Sequence, residues 1–316
     1  MDLDPEIARY LERVAKALPA PAVDDVAARR TRMEAIQRRF PPTPDTVARE
    51  DAFITLPGRE LFIRIYRPGE GTRAAVVYFH GGGWVAGSVL THDGACAALA
   101  RDADVVVVSV AYRRAPENPF PLPNDDAYAA LAWVAANAAA LDVDPARLAV
   151  GGDSAGAHLA AGVAIEARER GPALAFQLLV YPVIEPDFES PSYREHANSP
   201  TLARADMIAY WQHYAPAVAA TADARAVPSR ATSHAGLPPA HVVVASLDPL
   251  RDEGLRYAKC LSDAGVATTV AEAAGLPHGF LRAAPYSSAA RAAQLAVGVA
   301  TARALQLARP LEPARP

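Results

Sequence analysis

Cysteine is scarce in this chain of 316 residues, which holds two, Cys96 and Cys260, far apart and outside any CxxC or Cys/His ligand spacing. That excludes a disulfide framework and a structural zinc site, and each thiol is expected as a small buried apolar side chain. Long hydrophobic runs are also missing. The first twenty residues mix charges without an uninterrupted apolar core, so they do not read as a signal peptide. The most apolar stretch, residues 128–141, is too short and too rich in alanine for a membrane span of ~20 residues. No run of five like charges occurs, and a net charge of -4 with a pI near 6.1 argues against a nucleic-acid or anionic-membrane surface. Lysine and isoleucine give way to arginine and alanine, a bias without functional meaning by itself. The expectation left standing is a cytoplasmic protein without membrane insertion. At 51% hydrophobic and 21% charged residues, it can bury a full core without staples.

The first 45 residues read as two helices. Ile7, Leu11, Val14 and Leu18 recur at helical spacing after Asp4-Pro5, and a second stripe of Val26, Met33, Ile36 and Phe40 is stopped by Pro41-Pro42. From residue 51 the period changes. AFITL and LFIRIY flank Pro57-Gly58 as an antiparallel pair. β-Branched apolar runs at 74–80 and 104–110 mark strands buried on both faces. Further strands are expected at 147–150, 176–181, 241–246 and 268–273, with helices near 92–101, 125–140, 154–170 and 252–264. This alternation predicts an α/β architecture: a mostly parallel eight-stranded sheet, doubly wound, with helices on both faces. Residues 185–235 interrupt it with no strand pattern. There Met207, Tyr210, Trp211 and Tyr214 share one helical face, either packed on the core or forming a lid over a pocket.

The strongest chemical signal is Gly152-Asp153-Ser154-Ala155-Gly156, a G-x-S-x-G placed after a strand and opening a helix. That setting is a nucleophile elbow, a turn so tight that its flanking positions must lack bulk. It lifts the Ser154 hydroxyl above the sheet at a helix N-terminus, which favours developing negative charge. A second signal, His80-Gly81-Gly82-Gly83-Trp84, closes the strand at 74–80. Carbonyl addition makes an oxyanion that needs backbone N–H donors held in place beforehand, and consecutive glycines allow that close approach. No G-K-[ST] and no G-x-G-x-x-G with a downstream acid supports a nucleotide site.

The serine needs a base, and the base an orienting acid. Such elbows are followed in chain order by the acid and then the histidine, which removes His80 and His92 as bases and argues against His158. His196, His213 and His234 fall in the inserted segment and His241 begins a strand, leaving His278 in the loop after the last strand. Asp248 leaves the strand before it and is the expected acid, with Asp252 and Glu253 read as caps of the next helix.

HGGGW, GDSAG, YRRAPENPFP, DPLRDEG and HGF, in this order over about residues 50–285, resemble the hormone-sensitive-lipase-like esterases of the α/β-hydrolase superfamily, in particular their GDSAG branch. The resemblance implies a carboxylesterase for short- to medium-chain acyl esters, working through Ser154, Asp248 and His278 without cofactor or metal. It implies oxyanion donors at the N–H groups of Gly82, Gly83 and Ala155, with His80 and Gly81 supporting that loop. Residues 1–45 and 185–235 would form a helical cap over a core of 46–184 and 236–316, with Trp84, Tyr210 and Trp211 lining the substrate pocket. One departure is Arg114, which stands where the family has an apolar residue and is expected at the surface. The only partner expected besides a small-molecule ester is a second copy, since family members dimerise. Two other functions compete: an amidase or formamidase using the same groups, and a binding protein like the plant gibberellin receptor, which resembles this family but lacks the histidine that His278 supplies here.

Overall fold

The computed structural model describes residues 2–218 and 221–307. Two helices open it, α1 (Pro5–Ala17) and α2 (Val26–Arg39). Asp4 and Asp25 cap them, each accepting the N–H three residues on, from Ile7 and Ala28, at 2.9 Å. α1 buries Ile7 and Val14 of its expected stripe, together with Tyr10, while Leu11 and Leu18 are only half-buried; α2 buries no side chain fully.

The remaining elements alternate: β1 (Ala48–Leu56), β2 (Arg59–Arg67), β3 (Arg73–Phe79), α3 (Asp93–Ala103), β4 (Val106–Val110), α4 (Leu122–Ala136), β5 (Val143–Asp153), α5 (Ala155–Arg170), β6 (Phe176–Val180), α6 (Pro191–Glu195), α7 (Arg204–Tyr214), β7 (Ala240–Leu247), α8 (Arg251–Asp263), β8 (Thr268–Pro277) and α9 (Ser288–Leu307). α4 starts three residues before its expected span, where Pro123 fits a first helical turn, and stops four residues before its expected end. The sheet order is β1-β2-β4-β3-β5-β6-β7-β8. β1, β2 and β4 pair antiparallel, and all other neighbours are parallel.

One apolar layer lies between the sheet and α4, α5 and α8, through Leu131, Leu159, Val163 and Leu261. The other holds Cys96 and Leu99 of α3, Val297 of α9 and the buried face of α1. The chain runs from β3 to β4 on one side and returns to β5 on the other, so the order reverses between β3 and β5. A crevice opens at the carboxyl ends of strands flanking such a switch point, and β3 and β5 end there at His80 and Ser154. Among the described residues no helix is long and apolar enough to cross a membrane.

Candidate active site

Ser154 sits between β5 and α5 with φ 56° and ψ -121°, a conformation that is costly for a residue with a side chain. Its N–H donates to the Val180 carbonyl at 2.9 Å, which helps hold the turn. A β-carbon on Gly156 would fall onto the Phe79 carbonyl oxygen, so only glycine lets α5 start this close to β3.

Two other strand ends bring partners to the serine. The Ser154 Oγ–H donates to His278 Nε2 at 2.9 Å, and His278 Nδ1–H donates to Asp248 Oδ2 at 2.7 Å. Asp248 Oδ1 accepts the Leu250 N–H at 2.9 Å, which fixes the carboxylate plane. All three residues are buried, Asp248 completely. The other carboxylates near this strand end do different things, and neither caps α8, which has no side-chain cap. Asp252 accepts the Ser192 N–H at 2.8 Å. Glu253 is buried and accepts the N–H groups of Ile184 and Glu185 at 3.0 and 2.8 Å, anchoring the chain as it leaves the sheet after β6. Burial pushes the Glu253 carboxyl well above the usual range, against the pull of those two N–H groups.

The loop after β3 doubles back sharply. The Gly82 carbonyl accepts the Ala86 N–H at 2.8 Å, and Gly82 and Gly83 have φ of 126° and 62°, open to glycine at little cost. The N–H groups of Gly82, Gly83 and Ala155 meet no acceptor among the described residues, although Gly82 and Gly83 line the same cavity as Ser154. Free donors beside a hydroxyl poised for addition suit an anionic oxygen.

Asp153, inside the G-x-S-x-G motif, ties this loop to the elbow. Its Oδ1 accepts from Tyr78 Oη at 2.9 Å and from the Gly81 N–H at 3.1 Å, and its Oδ2 from Tyr181 Oη at 3.3 Å. Burial would raise this carboxyl, but His92 and the Tyr78 hydroxyl hold it well below the usual range. Sequence reasoning passed over Asp153, and the signal was an acid fixed next to the candidate nucleophile. His80 lies behind the loop, its ring 4.4 Å from that of Tyr112, with Nδ1–H donating to the Gly81 carbonyl at 2.9 Å. Burial pushes its imidazole down to about 3, so it stays neutral. Arg114 is not a surface residue. It is half-buried and donates to the Gly87 carbonyl at 2.7 Å, bracing the end of the glycine loop.

A cavity of about 350 Å3 opens over Ser154 and His278. Its upper wall is built by α1, α2 and α7, including Tyr10, Arg32, Met207 and Tyr210. Trp84 and Trp211 do not line it, contrary to expectation. At Trp84 φ is 59°, which turns the indole into the interior, where it stacks on Tyr214 at 4.1 Å and donates from Nε1–H to His158 Nδ1 at 3.3 Å. Trp211 packs edge-on against it at 4.8 Å. Both rings hold up α7, and Tyr210 alone of the three faces the cavity. Cys260 is likewise exposed on α8 and not buried, unlike Cys96.

Comparison with known proteins agrees with this fold. Residues 76–282 match the α/β-hydrolase-fold family. The chain is 40% identical to Esterase LipI of Mycobacterium tuberculosis over 88% of each chain. It is 36% identical to the ethyl acetate hydrolase of Pseudomonas putida, covering 89% of this chain and 93% of that one. Among solved structures, a hyperthermophilic esterase from the archaeon Pyrobaculum calidifontis superposes with a TM-score of 0.89 at 37% identity, covering 96% of this chain and 99% of that one. The chain belongs to the α/β-hydrolase family, in its hormone-sensitive-lipase-like carboxylesterase branch.

Proposed function

We propose that this protein hydrolyses carboxylic esters of short- to medium-chain acids through an acyl-enzyme on Ser154. The observation that carries the reading is the unbroken hydrogen-bond series Ser154–His278–Asp248, opening into a cavity beside free backbone N–H groups. In this mechanism His278 Nε2 takes the Oγ proton as the serine attacks the ester carbonyl. Asp248 keeps the proton on Nδ1 and stabilises the imidazolium that forms. The N–H groups of Gly82, Gly83 and Ala155 take the developing oxyanion, and His80, Gly81 and Asp153 hold their loop in place. His278 then protonates the leaving alcohol, and water repeats the sequence to release the acid. Every group required comes from the chain, so no cofactor or metal is invoked.

α1, α2 and residues 185–235 act in this reading as a cap over a core of 46–184 and 236–316, of which 219–220 and 308–316 lie outside the described residues. The cavity volume is at the low end for ligand sites, which supports short acyl chains over long ones. Relatives named as esterases and an ethyl acetate hydrolase support ester over amide cleavage. A cytoplasmic location and a homodimer complete the proposal, the dimer carried over from the family. Cell fractionation and light scattering test these two points. The decisive experiment is a panel of p-nitrophenyl esters from C2 to C16 with one anilide, together with organophosphate labelling. Turnover should peak at or below C8 and the label should sit on Ser154 alone. Faster cleavage of C16 than C4, or of the anilide than the esters, would reverse the assignment.

A further inference from the structure

Besides His92, His278 and the deeply buried Asp153, four charged side chains line the cavity: Arg29, Arg32, Asp206 and Arg282. Arg29 and Asp206 neutralise each other in an ion pair of 2.6 Å, and Arg29 also donates to Tyr210 Oη at 2.8 Å. Arg32 donates from Nε to the Leu18 carbonyl at 2.9 Å, and Arg282 makes no side-chain hydrogen bond; among the described residues no carboxylate reaches either one. Asp153 feels Arg282 at longer range, but its own oxygens already accept from Tyr78, Gly81 and Tyr181. Two half-buried guanidiniums therefore face one small cavity without a counter-ion.

Their positions are informative. Arg282 lies four residues beyond His278, and its guanidinium folds back over the adjoining Gly279, where a β-carbon would be 3.1 Å from Nη2. Arg32 descends from α2 on the upper wall. Burial, then the Arg282 charge, push its guanidinium below the ordinary value, so the two cations repel across the space between them. The Tyr10 ring of α1 lies within the field of both, and its residue lines the cavity too. Unpaired cations held together in partly desolvated surroundings are costly, and an anion placed between them removes that cost.

We infer that Arg32 and Arg282, with Tyr10, form a carboxylate subsite of the ester-binding cavity, so that the preferred substrate is a short ester bearing a carboxylate a few bonds from the reacting carbonyl. This rests on the esterase reading of Ser154. Arg282 ties the subsite to the His278 loop, so the charge of the substrate orients the scissile carbonyl over the serine. Guanidinium and carboxylate match in a forked, two-bond geometry.

Hydrolysis followed by proton release tests this with paired esters. Monoethyl succinate, glutarate and adipate are each compared with an uncharged analogue in which an isopropyl group replaces the carboxylate, such as ethyl 5-methylhexanoate for the glutarate. A second arm uses 3-acetoxypropanoate against its uncharged analogue, which separates an acyl-side from an alcohol-side carboxylate. In at least one pair the wild type should favour the charged ester in kcat/KM by about tenfold or more, with the ratio falling as salt is raised. Arg282→Met and Arg32→Met should each bring the ratio towards one, mainly through KM, while Arg282→Lys keeps part of it. The wild-type ratio requires no variant to fold. Equal or faster turnover of the uncharged ester in every pair overturns the subsite and leaves the esterase intact. No turnover of any ester, with Ser154 unlabelled by an organophosphate, removes the underlying reading instead.

Discussion

The floor and the roof of the cavity are held by different forces. The floor is the set of strand ends carrying Gly81 to Gly83, Ser154, Asp248 and His278. There the backbone decides position: Gly156 admits no β-carbon, the Ser154 N–H is tied to Val180, and Asp153 joins the elbow to the glycine loop. The roof is α1, α2 and α7. α2 buries no side chain fully and hangs on its arginines, with Arg29 on Asp206, Arg30 on the carbonyls of Val85 and Ala115, and Arg32 on the carbonyl of Leu18. A floor fixed by backbone geometry leaves little room for substitution and sets the chemistry. A roof fixed by long side chains can be re-cut to suit a substrate without disturbing the reacting atoms.

If that division holds, floor variants lose kcat while keeping stability, and roof variants lose stability or substrate preference while keeping kcat. The largest effect belongs to Ser154→Ala. Removing a nucleophile of this kind costs about 10⁴- to 10⁶-fold in kcat, and alanine fits the same turn. The check is kcat on p-nitrophenyl butyrate beside a thermal melt. Residual activity within tenfold of wild type would remove Ser154 from the reaction. Next comes Asp248→Asn, expected to cost roughly 10⁴-fold because the His278 tautomer is no longer held. Its control is Asp252→Asn. The Asp252 carboxylate accepts the Ser192 N–H and the Arg251 Nε–H and reaches neither Ser154 nor His278, so this variant should keep most activity. Exchange of the two behaviours would move the acid from Asp248 to Asp252.

The floor was legible in the sequence because its chemistry is local. G-x-S-x-G after a β-branched strand, a glycine run at the end of another, and the order Ser154, Asp248, His278 carry their own geometry. The strands announced themselves in the same way, through short apolar runs at 74–80 and 104–110. The roof was less legible, because its contacts join residues remote in sequence, such as Arg29 and Asp206, 177 positions apart. Trp84 shows the limit most clearly. An aromatic residue after three glycines reads as a pocket wall, yet a positive φ at that one position sends the ring into the interior. Arg114, read as a surface residue, and Glu253, read as a helix cap, mislead for a related reason: the buried groups that hold them are remote in sequence, here the Gly87 carbonyl and the Ile184 and Glu185 amides.

Arg30→Met probes the roof directly. The Arg30 guanidinium donates at 2.8 Å to the carbonyls of Val85 and Ala115, and it pairs with Glu117 at 2.7 Å. The exposed Glu117 pair contributes little, whereas losing two charged donors to half-buried carbonyls should cost about 3 kcal/mol. Urea melts measure that loss. Turnover by the folded fraction should stay far closer to wild type than that of Asp248→Asn. A fall on the scale of the Asp248 variant would show that roof and floor act as one unit.

The smallest expected effect tests the seam between the regions. His158 rises from α5 beneath α7, accepting from Trp84 Nε1–H and donating from Nε2–H to the Ala226 carbonyl at 2.9 Å. Burial pushes its imidazole down to about 4, while the same residue in an unfolded chain titrates near ~6.5. Between those values the unfolded state binds a proton that the folded state refuses, so stability falls as pH drops through this window and is fully present above it. His80, pushed down to about 3, acts in the same direction. Glu253 opposes both, because its raised carboxyl keeps a proton that the unfolded state releases. The wild-type slope is therefore a sum of opposing contributions, and the comparison that isolates one of them is His158→Gln against wild type. Glutamine can still accept from Trp84 and donate to Ala226 but cannot titrate. Going from pH 7 to 4.5, the variant should lose about 2 kcal/mol less stability than wild type, read from urea melts at both values. Parallel losses would mean that protonating His158 does not separate α7 from the body below it.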